Sequence, residues 1–160
     1  MDQIRSNDDE FLRRSANTSS LHVYVLDNFE KIGYENTQQL MRKMLAENET
    51  NLNQDEIQYL EKCIKINNAF EPYKDVLLNI VSKEKWWDPM ESWVIETRRK
   101  SHSKKEIYEI LSEFTLFFGR DPETSNNETV YDALCDFLER FVNWGGGNKI
   151  LPDEPNVGGD

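Results

Sequence analysis

Apolar residues recur along this chain at intervals of three and four, the spacing that lines side chains up on one face of an α-helix. The clearest run is Ile107, Ile110, Leu111, Phe114, Phe117 and Phe118, which predicts a helix over 104–118 closed by Gly119. Val130, Leu134, Phe137, Leu138, Phe141 and Trp144 predict a second helix from Asn127 to Trp144, ended by Gly145-Gly146-Gly147. Upstream, Leu40, Met41, Met44 and Leu45 mark a helix from Asn36 or Thr37 to Glu47, and Ile57, Leu60 and Ile64, with Tyr59, Cys63 and Ile66, mark one over 53–69. Val76, Leu77, Ile80 and Val81, behind Pro72, mark another that stops before Trp86. Met90, Trp93, Val94 and Thr97 mark one over 89–100. Between Leu21 and Ile32 two periods compete: Leu21, Val25, Phe29 and Ile32 fit a helix, while Leu21, Val23 and Val25 alternate as a strand would. The helix is preferred, because no partner strand is legible elsewhere.

Start signals reinforce these boundaries. Asn53 with Glu56, Asp88 with Glu91, Ser103 with Glu106 and Ser125 with Glu128 all have the spacing of a capping box, in which the first side chain accepts from an orphan amide and the Glu reaches back. The pattern predicts an all-α fold: a compact bundle of about six to seven short helices with irregular termini, its last two helices forming an antiparallel hairpin. It predicts a polar arm over 1–18, one helical domain over 19–150 and a flexible acidic tail over 151–160, with no internal repeat.

Composition adds a direction. The chain has 160 residues and a formal charge of −11. The charge is uneven: −5 over residues 1–81, +3 over 82–105 and −9 over 106–160. The basic cluster Arg98, Arg99, Lys100, Lys104 and Lys105 sits just before the acidic third. Direct binding of nucleic acid by that third is disfavoured, since phosphates attract the opposite sign, and a basic protein partner is favoured. No run approaches the roughly 20 apolar residues of a membrane span, and Met1 to Arg14 is polar and charged rather than secretory. A soluble, cytoplasmic protein without membrane contact is expected, with Cys63 and Cys135 as reduced small hydrophobes.

Candidate chemistry is sparse. Two His and two Cys lie far apart, so no metal site is expected. Asp121, Glu123, Ser125 and Glu128 begin like a calcium loop but lack the sixth-position glycine and the twelfth-position glutamate, which favours an ordinary loop leading into a helix. The triple glycine follows a helix instead of opening one, so it reads as a helix end and not as a phosphate cradle. No serine, cysteine or lysine has a base placed beside it by a recognisable motif, so no catalytic residue and no cofactor is assigned. Adjacent Trp86 and Trp87 cannot both point inward from a regular element, which makes Trp87 a candidate interface anchor. Two acidic stripes remain, Glu106, Glu109 and Glu113 on one helix and Glu128, Asp132, Asp136 and Glu139 on the next, followed by Asp153 and Glu154. In a hairpin the stripes would merge into one surface.

The layout of residues 101–156 resembles the colicin and pyocin nuclease immunity proteins. A capped helix, SKKEIYEILSEF, is followed by a polar loop, a helix with acidic outer positions, ETVYDALCDFLERF, a glycine-containing turn and NKILPDEP. The resemblance implies that the second helix and the segment after the turn bind a basic nuclease toxin, which maps to Glu128, Asp132, Asp136, Glu139 and 148–152. The expected function is an acidic inhibitor that neutralises a basic protein partner through these residues together with Glu106, Glu109, Glu113, Trp87, Trp144 and Asp153. Two alternatives stand beside it: a DNA mimic that inhibits a nucleic-acid-processing enzyme, and a helical structural or interaction module.

Overall fold

The computed structural model describes residues 18–47, 52–142 and 149–157. The arm over 1–18 lies, but for Thr18, outside the described residues, as do Trp144 and the triple glycine. Every regular element in the described residues is helical: α1 (Thr18–Ile32), α2 (Tyr34–Glu47), α3 (Gln54–Phe70), a 3₁₀ turn (Glu71–Tyr73), α4 (Lys74–Val81), α5 (Trp87–Lys100), α6 (Lys104–Arg120) and α7 (Glu128–Glu139). The chain packs as two compact units, one of residues 1–67 with Arg120–Pro122, the other of residues 68–119 with 123–160.

In the first unit α1 packs on α2. Leu21, Val25 and Phe29 are buried on the helical period, which settles α1 as a helix, but Ile32, counted on the same face, is 41% exposed. The helix ends there because Gly33 turns the chain at φ +90, a conformation an L side chain rarely adopts. That turn lets α2 start at Tyr34, two or three residues before the predicted Asn36 or Thr37. The Asp121 carboxylate accepts from the Tyr34 N–H at 2.8 Å and so caps α2. Thr37 lies inside the helix and donates its hydroxyl to Gly33 O at 2.8 Å. Tyr34, Thr37, Gln38, Met41 and Met44 form the buried face, while Leu40 and Leu45 are half-buried. Asn67 donates to the Tyr34 hydroxyl at 3.0 Å and accepts from Arg42, a polar link from α2 to α3. The capping box of α3 forms as predicted: Asn53 N–H donates to Glu56 Oε1 at 2.9 Å and Glu56 N–H to Asn53 Oδ1 at 2.8 Å.

In the second unit Pro72 is the second residue of the 3₁₀ turn, and α4 buries Leu77, Ile80 and Val81. Val76 is 47% exposed, contrary to its predicted place in the core, because α4 turns Leu77 and not its neighbour inward. α4 packs on α5. α5 begins at Trp87 without a side-chain cap, so Asp88 lies within its first turn and the predicted box with Glu91 does not form. Ser103 and Glu106 do form theirs, at 2.7 and 3.1 Å, and all six apolar positions predicted for α6 are buried. α6 does not close at Gly119 but runs through it to Arg120. Phe70 and Phe114 pack at 6.0 Å between ring centroids, and Tyr108 with Phe141 at 5.6 Å.

Candidate partner-binding face

α7 is shorter than its apolar period predicts. Its cap is Asn127, whose side chain accepts from Val130 N–H at 3.2 Å, and not Ser125. It ends at Glu139 because the following amides tighten: Phe141 N–H reaches Leu138 O at 3.1 Å and Val142 N–H reaches Glu139 O at 3.2 Å, three residues back instead of four. Phe141 and Val142 therefore stay buried while lying beyond the helix.

Leu134 and Phe137 bury one side of α7, and Glu128, Asp132, Asp136 and Glu139 are all exposed on the other. At 100° per residue the four fall within an arc of about 80°, over a rise of about 17 Å. Among the described residues none of the four carboxylates has an ion-pair partner. Several carboxylates elsewhere are engaged internally: Glu30 with Arg120 at 2.9 Å, Glu96 with Arg99 at 3.3 Å and Lys100 at 3.6 Å, and Glu154 with Arg98 at 2.9 Å. The cation nearest in sequence to this face, Arg140, turns inward. It is 6% exposed, donates to Glu91 at 2.8 Å and lies over the rings of Trp87 and Phe137 at 5.9 and 5.2 Å.

The glutamates of α6 are not an equivalent stripe. Glu106 is exposed but held by Ser103, and Glu109 and Glu113 are half-buried. Trp86 is 7% exposed and Trp87 half-buried, and both meet Phe137, Trp87 edge-on at 5.0 Å. The two indoles both face inward because they start a helix and one ring of α7 receives both. Asp153 is exposed.

Residues 149–157 carry no helix yet are fastened at several points. Ile150 is 1% exposed, its N–H donates to Arg140 O at 3.0 Å, and Val157 N–H donates to Phe141 O at 2.8 Å. Lys104 Nζ donates to Leu151 O at 3.3 Å and Glu154 O at 3.4 Å, and Arg98 Nε donates to both Glu154 oxygens at 2.9 and 3.0 Å. Burial holds the Lys104 pKa below its ordinary 10.5, with the Glu154 charge acting in the opposite direction and Lys149 in the same one. Leu151 takes a left-handed φ of 47, a strained setting for a non-glycine.

At the start of α7 an open hollow of about 270 Å³ is lined by Gly119, Ser125, Glu128, Tyr131 and Asp132. Periodicity did not single out Tyr131; the glycine inside α6 that makes room for its ring was the one sequence signal, and it reads more simply as a helix end. Cys63 and Cys135 are half-buried and not disulfide-bonded to each other. Among the described residues no group of three or more His, Cys, Asp and Glu could hold a metal ion, and no helix is long and apolar enough to cross a membrane. Comparison with protein-family models, curated proteins and solved structures finds no match for this chain.

Proposed function

We propose that this chain is an acidic binding protein that neutralises a basic protein partner, in the manner of an immunity protein or antitoxin against a nuclease toxin. The observation that carries the reading is the α7 face: four exposed carboxylates on one arc, without an internal cation among the described residues, on a helix anchored by Leu134 and Phe137. Such a face attracts a cationic partner over distance and sets on-rate and register more than raw affinity. In this reading the exposed Asp153, in the segment after α7, belongs to the same surface. This reading places the protein where its target acts, in the cytoplasm.

The test is titration of the full chain, by calorimetry at low and high salt, against purified, catalytically inactivated basic nuclease domains of the bacteriocin type. Wild type should bind one of them, more weakly as salt rises. The double reversal Asp132→Lys, Asp136→Lys should lose at least about tenfold in affinity with an unchanged far-ultraviolet helix signal. Unaltered binding by the double reversal, or no binding to any basic nuclease, would overturn the assignment. Duplex DNA that displaces a captured DNA-processing enzyme would instead favour a DNA mimic.

A further inference from the structure

A hydroxyl, an imidazole and a carboxylate lie in sequence in the second unit, away from the acidic face. Tyr73 closes the 3₁₀ turn, His102 lies between α5 and α6, and Glu106 is in the first turn of α6. The Tyr73 hydroxyl is 2.9 Å from His102 Nε2, and His102 Nδ1 is 3.8 Å from Glu106 Oε1. Each member is held. Glu106 Oε1 accepts from the Ser103 backbone N–H at 2.7 Å, and the backbone N–H of His102 donates to Thr97 O at 3.2 Å. The Tyr73 ring stands edge-on to Trp93 at 5.5 Å and to His102 at 5.7 Å. Tyr73 and Trp93 are half-buried, and the His102 side chain keeps 23% of its surface.

We propose that Tyr73 is a base-activated phenol that accepts an acyl group from activated esters, with His102 as the base and Glu106 as its support. A phenol is protonated at neutral pH, with an ordinary pKa of about 10, and is a weak nucleophile until a base takes its proton during attack. An imidazole within hydrogen-bond reach does this, and a third group on its far nitrogen holds the ring in place. At 3.8 Å Glu106 acts mainly as a charge, stabilising the imidazolium that forms as the proton arrives. The phenolic oxygen attacks the ester carbonyl carbon, and the bond from that carbon to the leaving aryl oxide breaks with its electron pair on the aryl oxide. The phenolic proton goes to His102 Nε2, and the products are the Tyr73 ester and a free aryl oxide. The Trp93 ring offers an apolar wall to the acyl or aryl part. The molecule also carries a comparison: His22 Nδ1 meets the Tyr59 hydroxyl at 2.7 Å in the first unit, with no carboxylate on that imidazole among the described residues.

The probe is p-nitrophenyl acetate with the full chain, following aryl oxide release and locating the acetyl group by peptide mass spectrometry. Tyr73 should be acetylated at least tenfold faster than N-acetyltyrosinamide free in solution, and faster than Tyr59. His102→Gln should slow its rate at least tenfold. Glu106→Gln should slow it less. Labelling of Tyr73 no faster than that of free N-acetyltyrosinamide, or a His102→Gln rate equal to wild type, would overturn the proposal. The wild-type ratio decides the matter even where a variant loses its fold.

Discussion

Asp121 lies in the turn after α6, yet its carboxylate caps a helix 87 residues earlier in the chain through the Tyr34 N–H. Its neighbours made it look like the first ligand of a calcium loop; in the fold it is 8% exposed and meets a backbone amide. Asp121→Ala should therefore cost about 1 to 2 kcal/mol, read as a shift in urea midpoint, with Asp121→Asn keeping most of the stability. Gly119 is a second case. A methyl group there would overlap the Tyr131 ring, which is itself 36% exposed and able to swing away. Gly119→Ala should destabilise the wild type, or leave it unchanged, but stabilise a Tyr131→Ala background by about 0.5 to 1 kcal/mol, since alanine is the better helix former. A double-mutant cycle of unfolding free energies reads both. Neither role has a local signal, because each depends on what a distant segment brings to the residue.

Among the helices the same four-residue signature had different fates. Asn53 with Glu56 and Ser103 with Glu106 closed as capping boxes, whereas Glu91 was drawn to Arg140 at 2.8 Å. At the start of α7, Asn127 N–H bonds to Thr124 O at 3.1 Å, and this turn presents the Asn127 side chain, not Ser125, to the first amides. Asn53→Ala and Ser103→Ala should each cost about 1 kcal/mol. Ser125→Ala should stay within about 0.5 kcal/mol of wild type, and thermal unfolding of the three variants is the check. The signature records a propensity to start a helix, and the competing partners of its two side chains decide whether it closes.

For the whole molecule, charge and burial meet at Lys104. Its side chain is almost fully buried and clips residues 151 and 154 to α6 through two carbonyls. Burial lowers its pKa in the folded state, so between that lowered value and the ordinary 10.5 the unfolded chain binds more protons than the folded one. Stability from this group therefore rises with pH through that window and is reduced below it. The unfolding free energy of wild type relative to Lys104→Met should climb as pH goes from neutral toward 10.5, by no more than about 1.4 kcal/mol per pH unit. A difference that stays flat or falls would contradict the linkage. The proposed partner binding belongs to this scale too, since a net charge of −11 acts on an approaching cation as a field before any contact forms.

The sequence by itself determined the all-α class, the apolar face of α6, the buried positions Leu134 and Phe137 of α7, two of the caps and the exposed carboxylates of α7, because helical period and capping depend on residues within a turn or two of one another. Only the tertiary structure decided the rest. The start of α2 needed Asp121, and the end of α7 followed tightened amides where apolar periodicity ran on. Ile32 and Val76 were left outside, both tryptophans were drawn onto Phe137, and an aperiodic segment was held by Lys104, Arg98 and two backbone carbonyls. These outcomes turn on hydrogen bonds and contacts between residues far apart in the chain, and no local pattern encodes which distant partner a side chain or amide will meet.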